Sequence, residues 1–355
     1  MGSFRTKLKR DVLELSLPKG RMVGSPGHDR AREYIVGRMA ELSLAPFRGD
    51  SYQLGYTRAG RQFANLVGVV KCGGNSAKPV LIGAHYDSVI DAPCADDNAS
   101  AVAIALAAAE VLAGKSLSRD VIIAIFDAEE QPHFQSSAMG SIRFHEDHLA
   151  ENGIHAALIM DLMGHDVLVQ LEDVKAIPYV GRFGMIFAKS GQQDVALPMI
   201  RDLLFITGAE SHPALPGLLE RTAHGRRLRP VAVKNDYIGD VSDHGVFRTN
   251  GSPYLFLSCG RWRHYHMPTD TPDKLNYAKM ERMMRYLVAL TGAISEAPLE
   301  GHESGAFDTA DFEIGCLKRA CGVLLPGLLK MLEVEKLQSR SDIDAVVHRL
   351  LAMGL

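Results

Sequence analysis

Residues 120–130 read Asp-Val-Ile-Ile-Ala-Ile-Phe-Asp-Ala-Glu-Glu. Val121 to Phe126 form an unbroken apolar run of strand length, rich in β-branched residues, which predicts a strand buried on both faces. Directly behind it come three carboxylates: Asp127, Glu129 and Glu130. Two other stretches repeat the design. Val80-Leu-Ile-Gly-Ala84 is followed by His85 and Asp87, and Ala157-Leu-Ile-Met160 is followed by Asp161.

Outward from these runs the chain alternates. Strands are predicted over Phe63–Val70, Pro79–His85, Asp120–Phe126, Ala156–Met160 and Tyr254–Leu257. A helix over Asp29–Leu42 follows the turn-like Ser25-Pro-Gly27, with Ala31, Tyr34, Ile35, Met39 and Leu42 on one face. Further helices are predicted over the alanine-rich Asn98–Leu112, over Gly140–Leu149, and over Lys279–Ile294, where Met280, Met283, Met284, Leu287 and Leu290 make a core face. Doubly buried strands separated by helices give an α/β fold: a mostly parallel, twisted central sheet with helices on both faces. Residues 1–297 are read as one domain. Residues 165–235 break the alternation and are expected to be an insertion at the sheet's edge. Residues 298–355 are expected to form a linker, centred on 300–310, and a C-terminal helical appendage of two or three helices.

Composition narrows the function classes. The chain has 355 residues, 46% of them hydrophobic, enough for a sizeable core. A net charge of -3 gives no reason to expect nucleic acid or an anionic membrane as a partner. The five cysteines are odd in number and contain no Cys-x-x-Cys pair, so neither a disulfide framework nor a thiolate metal site is expected. The longest apolar run, Ala99–Ala113, holds Glu110 and is too short to span a bilayer. The start, Met1–Arg10, is polar and basic and lacks an apolar stretch behind it, so a soluble cytoplasmic protein is expected. A chain whose signal peptide had been removed would begin the same way.

In an open α/β sheet the carboxyl ends of the strands line up along one edge, where ligands bind. The acids and His85 therefore converge, and Asp97 joins them just before the alanine-rich helix. Alone, Asp-Asp-Asn ahead of a helix is an ordinary N-cap and Glu-Glu after a strand an ordinary solvated turn; convergence at strand ends is what sets them apart. Clustered carboxylates repel and raise one another's pKa unless a positive charge sits among them. A pair of divalent metal ions resolves this. Imidazole and carboxylate ligands without thiolates suit zinc, with manganese or cobalt as alternatives. Two ions about 3.5–4 Å apart need a shared carboxylate and a shared water, and the inventory of acids and histidines suffices.

The motifs in order are Gly83-Ala-His85-Tyr-Asp87-Ser88, Ala95-Asp-Asp97-Asn-Ala-Ser100, Asp127-Ala-Glu129-Glu130, Met160-Asp161-Leu-Met-Gly164, Ser242-Asp243-His244 and Tyr265-His266-Met-Pro-Thr-Asp270. Together they resemble zinc metallopeptidase family 28, which includes leucyl-type aminopeptidases, glutamate carboxypeptidase II and glutaminyl cyclases. The resemblance covers residues 20–295 apart from 165–235. It implies a zinc exopeptidase fold and two zinc ions held by His85, Asp97, Glu130, Asp161 and His266, with Asp97 bridging. It also implies Glu129 as general base, Asp87 as acceptor of the second ring N–H of His85, Tyr265 as donor to the oxyanion, and Asp243 behind the ligands. The sequence departs from the family in having Ala101 where glycine is common, and Gln131–Ser137 in place of a glycine-leucine segment.

The resemblance implies a peptide substrate, and aminopeptidase is the leading expectation. A carboxypeptidase or dipeptidase would need basic residues near the cleft, which Arg226-Arg-Leu-Arg229 could supply, although that run reads first as a solvated loop. A glutaminyl cyclase would use one zinc, against which the presence of both His85 and Asp161 argues. A catalytically inactive binding protein is the non-enzymatic alternative, against which the intact ligand set argues. His133 lies near the base and is a candidate for touching substrate; Trp262 and Arg263 are candidates for lining the cleft. His145 and His148 read as surface residues.

Overall fold

The structure, a computed structural model, describes residues 3–72, 78–151, 153–167, 169–170, 194–195, 201–299 and 307–352. Among them runs a nine-stranded mixed sheet. Its strands are β1 (Ala45–Pro46), β2 (Gln53–Arg58), β3 (Arg61–Val70), β4 (Val80–His85), β5 (Val121–Phe126), β6 (Ala156–Asp161), β9 (Leu203–Thr207), β10 (Arg229–Ala232) and β11 (Tyr254–Ser258). Strands β7 (Val169–Gln170) and β8 (Asp194–Val195) make a separate antiparallel ribbon. The order is β1-β3-β5-β4-β6-β11-β9-β10, with β2 paired to β3. The four central strands β5, β4, β6 and β11 are parallel, so their carboxyl ends share one edge.

Every residue of these four strands is buried. Their side chains alternate between two cores, as the two-residue period of a strand requires. Val121, Ile123 and Ile125 enter one core with Ile82, Leu158 and Leu257; Ile122, Ala124 and Phe126 enter the other with Leu81 and Ile159. The first face is covered by α1 (Phe4–Leu15), α2 (Pro26–Glu41), α3 (Ala101–Leu112), α5 (Ala214–Arg221) and α7 (Tyr277–Glu296), and the second by α4 (Gly140–Phe144) and α6 (His244–Thr249). Helix α3 is alanine-rich because it packs against the sheet, α1 and α7 at once, and small side chains permit that approach.

Helix α1 is a departure from the reading of Met1–Arg10 as a polar start. Leu8, Val12 and Leu15 recur at helical spacing and are fully buried, while the basic residues around them face outward. Within residues 165–235, β9 extends the sheet from β11 and β10 extends it from β9. Residues 171–193 and 196–200 of that segment, and 300–306 of the expected linker, lie outside the described residues. Beyond them α8 (Ala310–Cys321), α9 (Leu325–Met331) and α10 (Arg340–Ala352) enclose their own core, which includes Val231 of β10. No described helix is long and apolar enough to cross a membrane.

Phe126, the last residue of β5, is fully buried and its ring lies 5.9 Å from that of Phe144. Phe126→Ala should cost about 3–5 kcal/mol, read as a lower urea midpoint at unchanged slope. A loss under about 1 kcal/mol would contradict this packing.

Candidate metal centre

The carboxyl edge of the central strands carries the centre. His85 ends β4 and Asp161 ends β6, and the register Gly83↔Ile159 continued two residues brings them side by side. After β5 the chain turns through Ala128 at φ 55° and presents Glu129 and Glu130. Asp97 sits in the tight turn Ala95–Ser100 that leads into α3. His266 arrives on the loop after β11 at φ 56°. Left-handed backbone at non-glycine residues costs on the order of 1 kcal/mol or more, and it recurs where structure must aim a functional side chain.

The distances are specific. His85 Nε2 lies 3.2 Å from Asp97 Oδ1 and 3.6 Å from Asp161 Oδ1. His266 Nε2 lies 3.1 Å from Asp97 Oδ2 and 3.4 Å from Glu130 Oε1. Asp97 thus turns one oxygen toward each of two histidine-acid pairs. His85, Asp97 and Glu130 each offer an atom within 4.8 Å of the others. Among the described residues, the buried atoms His85 Nε2, Asp97 Oδ2, Glu130 Oε1, Asp161 Oδ1 and His266 Nε2 have no hydrogen-bond partner. Ligands of a tetrahedral zinc at about 2.0–2.1 Å stand about 3.3 Å apart, so the donor set fits zinc in both type and spacing.

Asp87 accepts hydrogen bonds from the backbone N–H groups of Glu129 and Glu130, at 3.0 Å each, and its Oδ1 lies 3.4 Å from His85 Nδ1. It therefore ties β4 to the Glu129-Glu130 turn as well as facing His85. Two acids given no role from sequence prove to be anchors. Asp270 accepts from the N–H groups of Asp96 and Asp97, fastening the Asp97 turn to the His266 loop. Asp96 accepts from Ser100 Oγ, from the N–H of Gly164 and from the His165 ring. Asp270 ended a quoted motif and Asp96 began an acid pair, so position alone marked them. Asp127 turns away from the centre to pair with His28 and accept the N–H of Ala64.

Tyr265 stacks on His266, ring centroids 3.7 Å apart, and burial together with Asp97, Asp161 and Glu130 pushes its hydroxyl pKa up. Asp243 is buried close to Asp87 and Asp161. His133 is partly exposed, with its ring edge on Phe63 and its N–H on the Glu130 carbonyl. Trp262 stacks on His165, ring centroids 4.7 Å apart. The Arg226–Arg229 run is not brought to the centre through Arg229, which donates to the Ala320 carbonyl of α8. His145 and His148 rest on Phe247 and Phe144.

Six buried acids make the site electrostatically tense: Asp87, Asp97, Glu129, Glu130, Asp161 and Asp243. Burial and the charge of Asp97 push Glu130 up to about 8; burial, with Asp87 and Asp161, pushes Asp243 up to about 7. Burial also drives Glu129 well above the carboxylate range. Burial disfavours the charged form of His266, yet Asp97 and Glu130 outweigh it and hold the ring up at about 10. A carboxyl whose folded pKa is raised contributes stability below its ordinary pKa and loses it as pH climbs through the raised value. For Glu130 that window runs from 4.5 to about 8. The metal-free protein should therefore lose thermal stability across it, while added zinc restores stability increasingly toward its upper end. Melting temperatures with EDTA and with zinc at several pH values test this; a gap independent of pH would contradict it.

Residues 65–174 and 189–291, more than half of the chain, match the sequence model described as Peptidase family M28. The uncharacterised protein YfbL of Escherichia coli is 26% identical over 235 residues, 59% of this chain and 65% of that one. The match thus spans just under two thirds of that relative. Among solved structures, LapB of Legionella pneumophila is similar with a TM-score of 0.60 at 18% identity, over 82% of this chain and 72% of that one. A Zn-dependent exopeptidase from Parabacteroides distasonis gives 0.57 at 14% identity over 81% and 97%. Porphyromonas gingivalis glutaminyl cyclase gives 0.56 at 16% over 81% and 96%. At these identities the structural likeness is one of fold. The family pattern itself runs through β4, β5 and β6 and through the His266 loop, the segments that build the centre, and the chain belongs to peptidase family M28.

Proposed function

We propose that this chain is an exopeptidase with two zinc ions, acting as an aminopeptidase on peptides with free amino termini. The observation that carries the reading is the division of Asp97, one oxygen beside His85 and Asp161 and the other beside His266 and Glu130. A cyclase with one zinc would need only one of these two pairs as metal ligands. Of the Arg226–Arg229 run that a carboxypeptidase could use, Arg229 is engaged by α8.

Zinc bound by these five residues would bring a shared water to a pKa of about 7 and polarise the scissile carbonyl. The chain's own groups do the rest. Glu129, whose Oε2 lies 3.8 Å from His85 Nε2, takes the proton of the attacking water and passes it to the leaving amine. Asp87 holds the Glu129-Glu130 turn against β4 and faces the His85 ring, whose Nδ1 lies 3.4 Å from its Oδ1. The Tyr265 hydroxyl, on a ring stacked on His266 and within the influence of Asp97, Asp161 and Glu130, donates to the oxyanion of the tetrahedral intermediate. Burial keeps bulk water from screening these charges.

Glu129→Gln should lower turnover by roughly 10²–10⁴-fold and leave zinc content unchanged; near-wild-type turnover would remove Glu129 as the base. A panel of aminoacyl anilides, acyl-blocked dipeptides and peptides with N-terminal glutamine separates the activities. Hydrolysis of the anilides alone supports the aminopeptidase reading, and cyclisation of the glutamine peptides or cleavage of the blocked dipeptides overturns it.

A further inference from the structure

Between α1 and α2 the chain passes through Gly20 and Arg21, and Arg21 is fully buried. Its guanidinium makes no ion pair among the described residues. It donates instead to five backbone carbonyls: Nε to Tyr86 at 2.8 Å, Nη1 to Leu15 at 2.7 Å and Pro93 at 2.9 Å, Nη2 to Cys94 at 3.0 Å and Asp97 at 3.3 Å. Five donors meet five acceptors. The backbone N–H of Arg21 donates to Ser88 Oγ at 2.7 Å and its carbonyl accepts from the N–H of Ser88. Gly20 permits this approach: at φ +61°, a Cβ there would lie 2.5 Å from the Ile90 carbonyl and 2.7 Å from that of Ala92.

Four of the five carbonyls belong to one segment, residues 86–97. That segment starts one residue after His85 and ends on Asp97. A buried charge costs several kcal/mol unless it is well compensated, and here carbonyl dipoles compensate it, with Asp97, Asp270 and Asp87 as nearby charges. A compact ammonium could reach only part of this ring of acceptors; the planar fork of arginine is what spans it.

We propose that Arg21 is a positioning residue of the metal centre. It fixes the span between His85 and Asp97, so that the bridging carboxylate is set before any metal arrives. The proposal rests on the zinc reading above. Residues that orient metal ligands typically contribute 10–100-fold to affinity. Arg21→Lys should therefore weaken zinc binding to the metal-free protein by about 10-fold or more, measured by competition with a chromogenic chelator.

Arg38 supplies the control: it is also a buried arginine of the first core, paired with Asp11 of α1 through Nε and Oδ1 at 3.2 Å. Arg38→Lys should lower the melting temperature and leave zinc affinity as in the wild type. If Arg21→Lys does not fold, Ser88→Ala, which removes the acceptor of the Arg21 N–H, carries the same test with a smaller expected loss of several-fold. Unchanged zinc affinity in the folded variant, or an equal loss in Arg38→Lys, overturns the proposal alone. Wild-type protein that binds no zinc overturns the zinc reading and the proposal with it.

Discussion

Six carboxylates buried within reach of one another cannot all stay charged without a positive partner, and the rest of this structure answers that constraint. Asp97 is the focus. Its two oxygens look toward different histidines, its N–H is taken by Asp270 and its carbonyl by Arg21. The residue is held at its amide and at its carbonyl by two different parts of the chain. Such anchoring keeps a cluster of like charges in place.

The sheet makes the cluster affordable. Parallel strands covered on both faces have their carboxyl ends on one edge, and short turns there expose side chains while the strands stay rigid. β4, β5 and β6 each contribute directly, and β11 contributes through the loop that follows it. The acids are thus anchored in the most buried part of the fold.

Much of this was legible in the chain. The unbroken apolar runs of β4, β5 and β6 announced a parallel sheet, and the residues closing them announced the centre, because strand ends in such a sheet have only one place to meet. Other features were hidden for physical reasons. Helix α1 carries Leu8, Val12 and Leu15 at helical spacing, but its surrounding lysines and arginines dominate the local composition. β9 and β10 are short strands at the sheet's far edge, and their partial burial gives a weak pattern. Arg21 follows a glycine and nothing in its sequence context singles it out; only the tertiary fold shows that it is surrounded by carbonyls. Sequence alone assigned no role to Asp96 or Asp270, because the N–H groups they accept from lie far along the chain.

In the reading proposed above, Asp97 stands between two metal sites. Diffraction from zinc-loaded crystals at the zinc absorption edge reads this directly. Two anomalous peaks about 3.5–4 Å apart are expected, one against His85 and Asp161, the other against His266 and Glu130, with an Asp97 oxygen on each. A single peak in fully loaded protein, or peaks that leave Asp97 out of the coordination, would contradict it.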